Sequence, residues 1–196
     1  MSYVTLSDVK TYSGISLSTD DSLITSLIDR AQKAIETKTH RIFEASVDTT
    51  KYFSVYNTGW RTLYLDEDIC AITTIKTNAD NGSGGIIIPS IDYVTEPRNR
   101  TPYYAIKLLS SSSYDWEYTD DPENGIAITG KWAYSLTPPD DIKHACIRLV
   151  NYYYHQKDAA VFDTTAIPDA GVIQIPQGIP ADVEILLSPY VKQVYA

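Results

Sequence analysis

Asp20-Asp21-Ser22-Leu23-Ile24-Thr25-Ser26-Leu27-Ile28-Asp29-Arg30-Ala31-Gln32-Lys33-Ala34-Ile35 decides how this chain is read. Leu23, Ile24, Leu27, Ile28, Ala31, Ala34 and Ile35 recur at helical spacing, and Ser18-Thr19-Asp20-Asp21 ahead of them supplies capping groups and negative charge. A helix from Asp20 to Thr39 would be about 30 Å long at about 1.5 Å per residue. Its counterpart lies far downstream, in Pro138-Pro139-Asp140-Asp141-Ile142-Lys143-His144-Ala145-Cys146-Ile147-Arg148-Leu149-Val150. There Thr137 is the expected cap, the prolines open the helix, and Ile142, Ala145, Cys146, Leu149, Val150 and Tyr153 share one face. Two apolar stripes so far apart must bury against each other, so the sequence between them reads as an insertion in a small helical scaffold.

Shorter helices flank this pair. Thr5 is placed to cap a helix over Leu6 to Tyr12 that Gly14 closes, and Pro180 opens a last helix that ends at Ser188-Pro189-Tyr190. From Lys51 onward the pattern turns to short runs of β-branched and aromatic residues separated by turn chemistry. Lys51 to Tyr56 and Arg61 to Leu65 are expected to pair as a hairpin around Asn57-Thr58-Gly59. Further strands are expected at Ile69–Thr77, Gly85–Ile88, Asp92–Thr95, Tyr103–Leu109, Trp116–Thr119 and Gly125–Ala133, forming a compact antiparallel sheet or small barrel. Asp158 to Gly178 holds Pro168, Gly171, Pro176 and Gly178, with one extended run at Val172-Ile173-Gln174-Ile175, and reads as a flexible arm. The expected fold class is therefore α+β: a small helical bundle scaffold with an inserted antiparallel β subdomain and an extended C-terminal arm. Its expected parts are N-terminal scaffold helices (1–45), the β subdomain (46–136), a scaffold helix (137–157), the arm (158–178) and a C-terminal helix and tail (179–196).

Charge and composition narrow the function. The 196 residues hold 16 Lys and Arg against 25 Asp and Glu, a net charge of -9, which disfavours a partner held mainly by phosphate neutralisation. Cys70 and Cys146, each flanked by apolar residues and far apart, have no second ligand at zinc spacing and are expected as reduced core thiols. No basic stretch followed by an apolar run opens the chain, and no segment approaches about 18 consecutive apolar residues. Synthesis in the cytoplasm and no membrane partner are expected. Tyrosine outnumbers phenylalanine 16 to 3, so most aromatic surface ends in a hydroxyl suited to half-wet contacts between subunits or to solvated strands.

No residue set declares an enzyme, a metal site or a cofactor. Asn81-Gly82-Ser83-Gly84-Gly85 leads into a strand and lacks a following Lys-Ser or Lys-Thr, so it reads as a hairpin tip rather than a phosphate cradle. Asp140, Asp141 and His144 share a helix, but carboxylates in a first turn are expected simply to complement the helix dipole. His40 and His155 lie near helix C-termini without a local nucleophile. Arg98, Arg100 and Lys107, interleaved with Tyr103 and Tyr104, are the only basic stretch and are expected to pair with a neighbouring subunit's carboxylates rather than to bind single strands. Trp60, Trp116 or Trp132 could stack on sugar if the protein were a carbohydrate- or receptor-binding module. A small hydrolase would need a pocket joining His144 or His155 to carboxylates.

Several of these stretches resemble the head-to-tail connector, or adaptor, family of tailed bacteriophages. They are Val4-Thr5-Leu6-Ser7-Asp8-Val9-Lys10-Thr11-Tyr12, the helix start Asp20-Asp21-Ser22-Leu23-Ile24, and the ending Ala31-Gln32-Lys33-Ala34-Ile35-Glu36-Thr37-Lys38-Thr39-His40-Arg41. Pro138-Pro139-Asp140-Asp141-Ile142-Lys143 and Leu149-Val150-Asn151-Tyr152-Tyr153-Tyr154 resemble its later helix, and Val183 to Tyr190 its last one; together they cover about half the chain. The resemblance implies a non-enzymatic ring, usually of twelve copies, beneath the portal of the filled head. It implies as partners other copies of the chain, the portal protein and a downstream neck or tail-completion protein, with DNA passing through the channel unbound. Val172, Ile173 and Ile175 in the arm, with Tyr190, are the expected partner-binding residues.

Overall fold

The computed structural model of the protein describes residues 2–16, 18–159, 164–167, 171–174 and 178–192. The chain divides into two compact units, one helical, made of Ser2–Arg41 and Pro138–Ala196, and one β-rich, made of Ile42–Thr137. The α+β class expected from the periodicities is the class observed.

The helical unit contains α1 (Leu6–Ser13), α2 (Asp21–Thr39), α3 (Asp140–Ala159) and α4 (Ala181–Leu187). At the start of α1 the Thr5 hydroxyl accepts the Asp8 N–H at 3.2 Å, while the Asp8 carboxylate accepts the Thr5 N–H at 2.8 Å, a reciprocal capping box. Those hydrogen bonds hold the Asp8 carboxyl below the usual carboxylate range. Gly14 closes the helix at φ 67, as its position after Ser13 leads one to expect.

Two helix starts differ from the sequence reading. Asp20 occupies the cap position of α2 without capping it, because its carboxylate is taken by the hydroxyl of Tyr154 on α3 at 2.6 Å. Thr137 lies too far upstream to cap α3, which begins only after both prolines.

Buried residues follow the helical repeat: Ile24, Ile28, Ala31 and Ile35 on α2, Ile142, Ala145, Cys146, Leu149 and Val150 on α3, Val9 on α1, and Val183 and Leu187 on α4. α2 packs on α3, and α3 also receives α1 and α4. Leu27, one position off the buried line, is only half-buried. The chain after α4 is fastened back onto the end of α2. Lys192 N–H donates to the Thr39 carbonyl at 2.9 Å, Arg41 Nε donates to the Tyr190 carbonyl at 2.7 Å, and Lys38 pairs with Glu184 at 2.6 Å.

The β unit contains β1 (Thr49–Phe53), β2 (Thr58–Gly59), β3 (Thr62–Ile69), β4 (Ala71–Thr77), β5 (Ile86–Ile87), β6 (Tyr93–Glu96), β7 (Tyr103–Leu108) and β8 (Ile126–Lys131). They form two four-stranded antiparallel sheets, ordered β1-β8-β4-β5 and β2-β3-β7-β6. Leu63, Leu65, Ile75, Ile106, Ile126 and Ile128 belong to a shared apolar cluster. A single residue, Cys70, joins β3 in one sheet to β4 in the other.

Three strand assignments are corrected here. β1 does not pair with β3; it pairs with β8, from Thr49 opposite Gly130 to Phe53 opposite Ile126. The hairpin partner of β3 is the two-residue β2, so the turn falls at Trp60-Arg61 instead of at Asn57-Thr58-Gly59. Trp116–Thr119 is a loop, not a strand. The N–H groups of Thr119, Asp120 and Asp121 turn toward one Asp80 carboxylate oxygen at 3.3, 3.4 and 3.2 Å, a local acceptor that competes with ladder pairing.

Within the stretch expected as an arm, β9 (Thr164–Ile167) and β10 (Gly171–Gln174) pair antiparallel with each other. Ile175 lies outside the described residues.

Both cysteines are free and buried, and burial raises the Cys70 thiol and pushes that of Cys146 up to about 12. At neutral pH a disulfide-exchange reagent is expected to titrate neither thiol in the folded protein and both in denaturant. Rapid labelling of Cys146 in the native state would contradict this packing.

Candidate interaction surfaces

Of the residues expected to bind partners, Val172 lies opposite Ala166 and Ile173 opposite Thr165 in the β9–β10 pair. Tyr190 is engaged within its own unit, its carbonyl taken by Arg41 and its hydroxyl donating to Asp141 Oδ2 at 3.3 Å.

The groups that an enzyme would need are dispersed or occupied. His144 meets the Tyr12 ring edge-on at 5.8 Å. A cleft in the helical unit brings His155 and Asp182 together with Tyr12, Arg148 and Tyr152, but Asp182 is ion-paired with Arg148 and no serine, threonine or cysteine lines the cleft. Among the described residues no group of three or more His, Cys, Asp or Glu is placed to hold a metal ion, and no helix is long and apolar enough to cross a membrane.

A second groove, along the C-terminal half of α2, gathers Arg30, Lys33, Lys38 and His40 beside Ile179. These cations are largely engaged. Arg30 lies 4.6 Å over the Tyr153 ring, Lys33 reaches Glu36 at 3.6 Å and Lys38 is held by Glu184.

The three tryptophans divide sharply. Trp116 and Trp132 are each 7% exposed, and their indole N–H groups donate to the carbonyls of Arg61 at 3.1 Å and Thr49 at 2.9 Å. Trp60 is 97% exposed, and it stands at the two-residue turn between β2 and β3. Trp60 and Arg61 both take left-handed backbone, at φ 50 and φ 64, where Asn-Gly or Asp-Gly is the usual choice. For a residue with a β-carbon this conformation costs roughly 1 kcal/mol or more.

Arg61 is fixed there from all sides. Its carbonyl accepts the Leu108 N–H at 3.0 Å and the Trp116 indole, and its guanidinium donates to the carbonyls of Ser112, at 3.2 Å, and Tyr114. Sequence reading named Trp60 only as a sugar-stacking candidate and missed the turn, because neither residue is of a type that signals positive φ.

The loop that grips Arg61 continues into a strongly acidic stretch. From Asp115 to Glu123 there are five carboxylates and no cation, whereas from Pro97 to Tyr114 there are three cations and no carboxylate. Asp115, Glu117, Asp120 and Glu123 are exposed, and among the described residues none of them forms an ion pair. The Thr77 hydroxyl anchors this loop to the end of β4 through the carbonyls of Asp115 at 2.9 Å and Glu117 at 3.3 Å.

Arg98 and Arg100 are exposed on the loop between β6 and β7, and among the described residues neither forms an ion pair. The strand register places them at the other end of the sheet. Thr62, next to the Trp60 turn, lies opposite Lys107 near the end of β7, whereas Glu96, which leads into the arginine loop, lies opposite Ala105 near its start. Between these ends Tyr64, opposite Ala105, is exposed, and Tyr56 and Tyr118 meet with hydroxyls 3.3 Å apart.

Residues 2–193 match the family model described as head completion protein. Among solved structures, a chain from the neck of an empty gene transfer agent (GTA) particle computed with C6 symmetry has a similar fold, with a TM-score of 0.59 and 14% identity over 99% of this chain and 92% of that one. No curated protein matches the sequence.

Proposed function

Because the chain belongs to the head completion protein family, we propose that it is a structural protein of a bacteriophage neck. In this reading it forms a ring, of about twelve copies as such connectors usually do, beneath the portal of the DNA-filled head, and joins it to a tail-proximal neck protein. DNA passes through the ring without being gripped. The observation that carries the reading is the family match over nearly the whole chain; the fold likeness to a neck chain is consistent with it.

Physical features support the finer parts. A net charge of -9, with the cations of the α2 groove already engaged, leaves little to neutralise phosphate, so DNA would slide past rather than release counterions and bind. Exposed Tyr56, Tyr64, Tyr104 and Tyr118 on the β unit suit contacts between copies. Val172, Ile173 and Ile175 would add to a neighbouring ring by strand pairing.

The test is particle assembly with the protein omitted, and with a variant lacking residues 160 to 177, each scored by electron microscopy. Filled heads without tails are expected in both cases, with the thermal melt of the variant unchanged. Normal joining without the protein would refute the neck role, and normal joining with the variant would refute the role of the arm.

The exposure of Trp60 also fits a sugar-binding module of a tail tip. Quenching of its fluorescence by glycans, with normal head-to-tail joining in its absence, would favour that second reading.

A further inference from the structure

We infer that successive copies associate head to tail through the β unit, the Trp60 tip and Asp115–Glu123 loop of one copy seating against the Arg98–Arg100 loop of the next. This inference rests on the ring reading and names the surfaces that would make it.

Three observations carry it. The first is charge. Beside the Trp60 turn, where Tyr114 and Trp116 bond Arg61 and the loop is tied to the end of β4, stand the carboxylates of Asp115, Glu117, Asp120 and Glu123; beyond the far end of β7 stand the guanidinium groups of Arg98 and Arg100, and among the described residues none of the six is ion-paired. Charges of opposite sign at opposite ends of one rigid element cannot satisfy each other within a copy; they can between copies. A contact that joins two different patches of the same surface is heterologous, and it propagates into a ring when its rotation closes.

The second observation is the anchor. Interfaces concentrate their energy in a few large side chains, tryptophan and arginine foremost, and Trp60 is fully presented at the acidic end while the arginines stand at the other. An indole also offers its face to a guanidinium. The third is preorganisation. Arg61 is held by Leu108, Ser112, Tyr114 and Trp116, so the turn keeps its left-handed geometry before any partner arrives, and little ordering entropy is lost on docking.

The occupant that fits is a second copy of this chain. Its Arg98 and Arg100 match the carboxylates, and a nucleic acid would be repelled by them. The contact should weaken with salt, since both ends are solvated before association.

The experiment uses the purified protein and three variants: Trp60→Ala, Arg98→Glu with Arg100→Glu, and Asp115→Lys with Glu117→Lys and Asp120→Lys, which turns the five-carboxylate loop net positive. All six side chains are exposed, and thermal melting checks that each variant folds as the wild type does. Sedimentation velocity at low and physiological ionic strength reads the oligomer. Wild type is expected to associate, more strongly at low salt, and each variant to associate roughly tenfold less tightly or worse. An equimolar mixture of the two charge-reversed variants should associate again, because every junction in an alternating ring then joins opposite charges. Association of both reversed variants at wild-type strength would overturn the inference while leaving the ring reading intact, as would a mixture that stays dissociated beside an associating wild type. A wild type that is monomeric here and forms no ring in imaged particles would sink the ring reading itself, and the inference with it.

Discussion

Gly130→Ala should cost the protein about 3 kcal/mol, at the upper end of what overpacking usually does. Gly130 lies on β8 between β1 and β4, opposite Thr49 on one side and Ile72 on the other. A β-carbon placed there would stand 2.2 Å from the Ala71 carbonyl oxygen, 3.2 Å from its carbon and 2.9 Å from Ile69 Cδ1. The Ile69 methyl could swing away. The Ala71 carbonyl is backbone at the start of β4, in the paired segment where Ala71 faces Lys131, and it could retreat only by drawing β4 off β8. For a chain of this size a loss of that order lowers the melting temperature by about 6 to 12 °C. Calorimetry or circular dichroism checks it, and a variant melting within a degree of wild type would mean that the two strands are not so closely spaced.

Leu149→Ala is expected to cost about 2 to 5 kcal/mol, the cavity being lined by neighbours that cannot fully collapse into it. Leu149 is fully buried on α3, in line with Ile142, Ala145 and Cys146, and Ile28→Ala on the facing buried stripe should act similarly. Leu27→Ala is the internal control. Leu27 is only half-buried, so its truncation should cost clearly less than that of Ile28, although the two are adjacent and similar in volume. Equal losses at 27 and 28 in urea titrations would show that α2 is rotated from the orientation described here.

The elements read correctly from sequence were those whose signal is local. The Thr5 cap, the Gly14 stop and the stripe Ile24, Ile28, Ala31, Ile35 are properties of neighbouring residues, and the helices formed where that periodicity ran. Strand partners are not local. β1 could pair with β3 or with β8 on alternation alone, and it pairs with β8, a partner far along the chain that alternation cannot single out. Trp116–Thr119 has the residue types of a strand, yet the Asp80 carboxylate captures the N–H groups that follow it. The proposed contact surfaces were legible as composition, in Arg98, Arg100 and the tyrosines, but not as geometry. Nothing in the letters Gly-Trp-Arg-Thr marks a left-handed turn, and only the folded contacts part the basic run, beyond the start of β7, from the acidic run, beside the Trp60 turn and the end of β4.

The one-residue junction at Cys70 has a mechanical consequence. A force applied at the Trp60 tip runs along β3 and meets β4 after a single residue, with the Cys70 N–H tied to the Lys131 carbonyl at 2.9 Å and no slack loop to absorb displacement. The two sheets would therefore transmit a pull or a push as one stiff plate, so that strain arriving at one edge of the β unit is felt at the other.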